Sequence, residues 1–138
     1  MSEETDVAGE LILIVEDNDK NLKLARDVLQ YRGFRTLEAM TAAEGIKLAA
    51  EHQPDLVLMD IQLPDADGVS ALQQLRAQAA TKAIPVVAFT ASVMEADRQR
   101  LDAAGFDGYL AKPIDVKAFP DQVQSYCRPA SEGRCAGA

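Results

Sequence analysis

The sequence predicts an α/β protein with one parallel sheet carrying helices on both faces. Three observations point that way. Five short apolar runs recur along the chain, and each is followed by a stretch of helical character. Strands alternating with helices of this length imply parallel pairing through right-handed crossovers. The third run, Leu56, Val57, Leu58 and Met59, is apolar without a break, as a strand buried on both faces requires. Yet this run ends on a carboxylate, Asp60. In such sheets, ligands bind in the crevice beyond the carboxyl ends of the strands.

The elements follow in order. LILIV, residues 11–15, is the first strand. Residues 18–32 form a helix with Leu22, Ala25, Val28 and Leu29 at helical spacing; Asp17, Asn18 or Asp19 caps it and Gly33 stops it. FRTLEA, residues 34–39, is a short strand. Thr41 and Glu44 form a capping-box pattern that opens a helix through about residue 51, and Pro54 ends that segment. Residues 55–60 are the third strand, and Asp67 caps a helix over 68–78. IPVVAF, residues 84–89, is the fourth strand. Ser92 and Glu95 make a second capping box, opening a helix to Ala104, and Gly105 stops it. DGYLAK, residues 107–112, is the fifth strand, and a last helix runs to about Tyr126. With Asp115 as its cap, Pro120 falls beyond the first turn, so the last helix is expected to be kinked or to start late.

Composition bounds the function. The 138 residues suit one domain, expected over residues 10–127, with disordered tails at 1–9 and 128–138. The hydrophobic fraction of 48% and charged fraction of 26% are those of a soluble globular protein. A net charge of −8 disfavours non-specific nucleic-acid binding and attachment to an anionic membrane surface. No apolar segment is long enough to span a bilayer, and the acidic, polar start MSEETDVAGE is unlike a signal peptide. Cys127 and Cys135, read with the C-terminal tail although Cys127 closes the expected domain, lack metal-ligand spacing, which favours a reducing, cytoplasmic location. His52, near a helix C-terminus, is assigned a favourable interaction with the helix dipole and no chemistry. Asp65, Asp67 and Gly68 match part of a calcium loop, but the rest of that motif is missing, so they read as a turn and a helix cap.

Polar groups collect at one edge of the expected sheet. Glu16 and Asp17 follow the first strand, Asp60 ends the third, Thr90 follows the fourth and Lys112 ends the fifth. Singly, each has a simpler reading: a helix cap, a loop acid, a solvated lysine. Together they converge on one pocket. Three carboxylates there repel each other unless a cation is present, and oxygen ligands with waters suit Mg²⁺.

The segments ILIVEDN, LVLMDIQLPDADG, VVAFTAS and GYLAKPI resemble the four signature segments of bacterial response-regulator receiver domains, over about residues 11–126. The wording of ILIVEDN and MDIQLP is similar to the stand-alone, cell-cycle type. The resemblance implies a doubly wound, flavodoxin-like (CheY-like) five-stranded sheet of order 2-1-3-4-5 with five helices. It implies that Asp60 takes a phosphoryl group from a histidine kinase or histidine phosphotransfer protein. Asp17, Asp60 and the carbonyl of Gln62 would bind Mg²⁺, with Glu16 acting mainly through water. Lys112, the Thr90 hydroxyl and the Ala91 N–H would hold phosphoryl oxygens. Tyr109, with Thr90, would be a switch residue whose ring turns inward on phosphorylation, and the Lys112–Pro113 peptide would be cis. Gln62 and Ser92 occupy the positions that tune acyl-phosphate lifetime.

With only a short tail after Tyr126, the expectation is a receiver without its own output module. It would act as a monomer or weak dimer, by onward phosphotransfer or by binding a protein partner through the face of its fourth helix, fifth strand and fifth helix. Two other classes are weighed. A phosphate-independent adapter has no need of the full acid, threonine and lysine set. A Mg²⁺-dependent phosphatase of the haloacid-dehalogenase type has a second aspartate where this chain has Gln62.

Overall fold

The apolar runs become strands β1 (Leu11–Val15), β2 (Arg35–Ala39), β3 (Leu56–Asp60), β4 (Val86–Thr90) and β5 (Gly108–Ala111). They form one sheet in the order β2-β1-β3-β4-β5 with every pairing parallel, as predicted. The structure is a computed structural model that describes residues 9–61, 63–65, 67–90, 99, 103–111 and 114–127. Among these residues lie four helices: α1 (Asp19–Tyr31), α2 (Ala42–His52), α3 (Gly68–Ala77) and α4 (Phe119–Tyr126). The expected helix over 92–104 falls mostly outside the described residues, although Gln99, Ala103 and Ala104 are helical. The predicted tails, apart from Gly9, also lie outside them, as do Ala91, Ser92 and the Lys112–Pro113 bond.

Period-two alternation splits the core into two layers. On one face Ile12, Ile14, Leu56, Leu58, Val87, Phe89 and Leu110 pack against Leu22, Ala25 and Leu29 of α1 and Phe119 and Val123 of α4. On the other, Leu13, Val15, Val57, Met59, Val86 and Ala88 pack against Ile46 and Ala49 of α2 and Leu72 and Leu75 of α3. All five residues of β3 are buried, so the central strand is enclosed as its unbroken apolar run requires.

Local chemistry sets the helix ends. The Asn18 side chain accepts from the Asn21 N–H at 3.1 Å, which decides among the three candidate caps of α1. Thr41 accepts from the Glu44 N–H at 3.1 Å, while Glu44 reaches back to the Met40 N–H at 3.3 Å, one residue beyond the usual capping box. Asp67 accepts from the Ser70 N–H at 2.7 Å and opens α3. Helix α2 ends through Gln53 in the left-handed region, at φ 51°, just before Pro54. Strand β4 begins only at Val86, because Pro85 has no N–H to give to a ladder; Ile84 stays buried in the preceding turn.

The last helix starts late, as Pro120 suggested. Asp115 forms a turn of its own by accepting from the Lys117 N–H at 3.0 Å and the Ala118 N–H at 3.3 Å. Helix α4 begins at Phe119, and Pro120 then lies in its first turn, where the missing N–H has no intrahelical partner to lose. The Phe89 and Phe119 rings stack at 6.0 Å between centroids and fasten α4 to the sheet. Cys127 is not a tail residue. It is 7% exposed and belongs to the core beneath α1 and α4, as a free thiol.

Two predictions follow from this packing. Burial, reinforced by the charges of Glu10 and Asp55, pushes the Cys127 thiol up to about 12. Iodoacetamide at about pH 8 should therefore leave Cys127 unmodified in the native protein and alkylate it fully in urea, as read by peptide mass mapping; equal labelling in both states would contradict the buried thiol. Hydrogen bonds from the Ala42 and Ala43 N–H groups hold the Asp65 carboxyl below its ordinary value near 3.8. A lowered carboxyl stabilises the fold above its unfolded value, and that contribution is lost as the pH falls through the folded one. The stability gap between wild type and Asp65→Asn, measured by urea unfolding, should be larger at neutral pH than at about pH 3. A gap of constant size would mean that the carboxylate charge is not involved.

Candidate functional site

The candidate site grows out of the register between β1 and β3. Val15 lies opposite Met59, so the next residues, Glu16 and Asp60, stand side by side where the two parallel strands end. Both continue the alternate series that begins at Ile12 and Leu56, and so fall on the α1–α4 face of the sheet. Glu16 still takes part in the ladder, its N–H donating to the Ala39 carbonyl at 2.9 Å. Its side chain is fully buried, and its Oε2 accepts from the Asn18 N–H at 3.0 Å. That bond folds the chain from β1 straight into α1 and leaves Asp17 exposed between them.

Asp60 is 5% exposed at the end of the buried strand. One carboxylate oxygen from each of Glu16, Asp17 and Asp60 lies within 4.8 Å of the other two. The three acids that the sequence suggested are thus brought together. Their donors are all oxygen, two of them are held by buried backbone, and the third opens to solvent. This set fits a hard divalent cation that retains waters, such as Mg²⁺.

Of the other predicted site residues, Thr90 is the last residue of β4 rather than the first after it, in register with Ala111. Tyr109 is half-buried on edge strand β5, opposite Ala88, and packs against the α2–α3 layer. Gln62, Ala91 and Lys112 lie outside the described residues.

A further acid near the site was not foreseen in its actual part. Asp65 caps α2 from across the loop, accepting from the Ala42 N–H at 2.8 Å and the Ala43 N–H at 3.0 Å. The sequence signal was present, since turn acids often bond to backbone N–H groups. What it lacked was the partner, because the two N–H groups belong to a helix more than twenty residues earlier.

Comparison with known proteins agrees with this geometry. Residues 12–124 match the family model described as the response regulator receiver domain. The polar-differentiation response regulator DivK of Brucella ovis is 41% identical over 115 residues, covering 83% of this chain and 94% of that protein. Among solved structures, the receiver domain of a sensor histidine kinase from Pseudomonas aeruginosa PAO1 superposes with a TM-score of 0.78 at 34% identity, covering 86% of this chain and 98% of that one. That receiver carries a magnesium ion coordinated in its active-site cleft. The chemotaxis response regulator CheY4 of Vibrio cholerae has the same fold, with a TM-score of 0.81 at 22% identity over 86% of this chain and 99% of its own. The alternating strands, the 2-1-3-4-5 order and the acid cluster at the strand ends thus have one common explanation: the chain belongs to the family of response regulator receiver domains, with close sequence similarity to the DivK regulators.

Proposed function

We propose that this receiver accepts a phosphoryl group on Asp60 from a phosphohistidine of a histidine kinase or a histidine phosphotransfer protein. The observation that supports it best is the convergence of the Glu16, Asp17 and Asp60 oxygens within 4.8 Å at the end of a buried strand. In the transfer, an Asp60 carboxylate oxygen attacks phosphorus in line with the phosphorus–nitrogen bond. A phosphorus–oxygen bond forms, the phosphorus–nitrogen bond breaks, and the imidazole leaves with the electron pair and takes up a proton.

Asp17, Asp60 and the Gln62 carbonyl would hold Mg²⁺, with Glu16 acting through water. The ion, when bound, neutralises the charge that accumulates between carboxylate and phosphoryl oxygens. The chain supplies the rest by fixed placement. Lys112 would pair with one phosphoryl oxygen, and the Thr90 hydroxyl and Ala91 N–H would donate to others. The buried β3 backbone keeps the nucleophile from wandering, which is the contribution a transfer with little covalent assistance depends on.

The output is a change of surface. Thr90 and Tyr109 stand on adjacent strands, with Thr90 two residues beyond the partner of Tyr109, close enough along the ladder to be coupled. Drawing Thr90 toward a phosphoryl group would let the Tyr109 ring turn inward. A change from 1:99 to 99:1 by this route takes roughly 5.5 kcal/mol of differential stabilisation. The surface altered would be that of the expected fourth helix, β5 and α4, and a protein partner would read it there or the phosphoryl group would pass onward.

Intact mass after incubation with Mg²⁺ and acetyl phosphate tests the chemistry. Wild type should gain one phosphoryl adduct, and Asp60→Asn should gain none while keeping the wild-type circular dichroism spectrum. An adduct of equal stoichiometry in Asp60→Asn would move the acceptor elsewhere. No adduct from acetyl phosphate or from a phosphohistidine donor would favour a phosphate-independent adapter.

A further inference from the structure

We infer that Asp65 is a positioning residue for the acidic site, a latch that fastens the loop following Asp60 to the β1 side of the cluster. This role rests on the Mg²⁺ site proposed above. The segment that follows Asp60 is closed at its base, where the Gly68 N–H donates to the Ile61 carbonyl at 3.0 Å. There α3 sits directly on the backbone: a Cβ on Gly68 would stand 2.7 Å from Ile61 Cα and 2.9 Å from the Asp60 carbonyl oxygen. That contact ties the segment to α3, but not to β1, which carries the other two acids.

Asp65 makes the second tie. Its two carboxylate oxygens take the Ala42 and Ala43 N–H groups at the start of α2, where the helix dipole favours a negative charge. Helix α2 is in turn pressed onto β1, since a Cβ on Gly45 would stand 2.7 Å from Val15 Cγ2. Val15 immediately precedes Glu16. The contacts therefore close a ring: from Asp60 through the loop to Asp65, across to α2, through Gly45 to Val15, and back to the acids at the end of β1.

A helix cap and a site latch make different predictions. Thr41→Ala removes a cap from the same end of α2, since the Thr41 hydroxyl accepts from the Glu44 N–H of its own helix. Calorimetric Mg²⁺ titration and thermal unfolding are measured for wild type, Asp65→Ala, Asp65→Glu and Thr41→Ala. Both alanine variants should lower Tm. Only Asp65→Ala should raise the Mg²⁺ Kd, by roughly ten-fold, the low end of what loss of an outer supporting group costs. Asp65→Glu, which keeps the carboxylate, should recover part of the affinity. If Asp65→Ala is too unstable to titrate, Asp65→Asn retains one acceptor and should give an intermediate Kd. An unchanged Kd alongside a lowered Tm, or an equal rise in Kd for Thr41→Ala, would reduce Asp65 to a helix cap and overturn the latch. A wild type that binds no Mg²⁺ would instead overturn the metal site itself, and the latch with it.

Discussion

Two carboxylates stand side by side at the buried end of a parallel sheet, and the surrounding structure is arranged around that constraint. An ionised acid removed from water is costly unless it is hydrogen-bonded or paired with a cation. Glu16 is fully buried and bonds to the Asn18 N–H, and Asp60 is nearly so beside it. Asp17, exposed beside the pair, adds a third negative charge, and the three oxygens within 4.8 Å of one another fit one shared divalent ion that would offset the repulsion.

Rigidity around the pair comes from both layers of helix. On the α1–α4 face, Phe89 lies opposite Asp60 in the ladder and stacks on Phe119, so the strand next to Asp60 is fastened to α4. On the α2–α3 face, Gly68 lets α3 rest on the backbone just after Asp60, and Asp65 joins that loop to α2. The opposite edge of the sheet is closed by a separate polar network. Arg76 bonds to the Ile84 carbonyl at 2.7 Å and to Asp107 at 2.9 Å, and Asp107 accepts from the Val86 N–H at 2.8 Å. The carboxyl-end edge thus gathers three acids close together, whereas at the opposite edge Asp107 bonds to arginine and backbone.

The late start of α4 shapes the surface beside β5. Asp115 turns the chain after β5 before the helix can begin, so Val116 remains more than half exposed at 54% and Pro120 enters the first helical turn. Helix α4 is consequently short, and its hold on the sheet rests on Phe119 and Val123 rather than on an extended contact. A partner that reads α4 would meet this turn as well as the helix.

Sequence alone determined the strand count, their parallel sense, the helix caps at Thr41 and Asp67, a kinked or late helix around Pro120, and the three acids that the fold brings together. These are legible because each depends on near neighbours: apolar runs, capping side chains three residues from their donors, a proline that cannot sit deep in a helix. The strand order came from family resemblance, since periodicity says nothing about which strands lie side by side. Tertiary structure decided what depends on distant partners. It chose Asn18 over Asp17 and Asp19 as the cap of α1, which left Asp17 for the acidic cluster. It buried Cys127, the last residue of the expected domain, in the core under α1 and α4. It gave Asp65 to the first turn of α2, a partner far away in sequence. Such choices follow from how packed layers bring backbone N–H groups and side chains together, and a chain read one window at a time does not contain them.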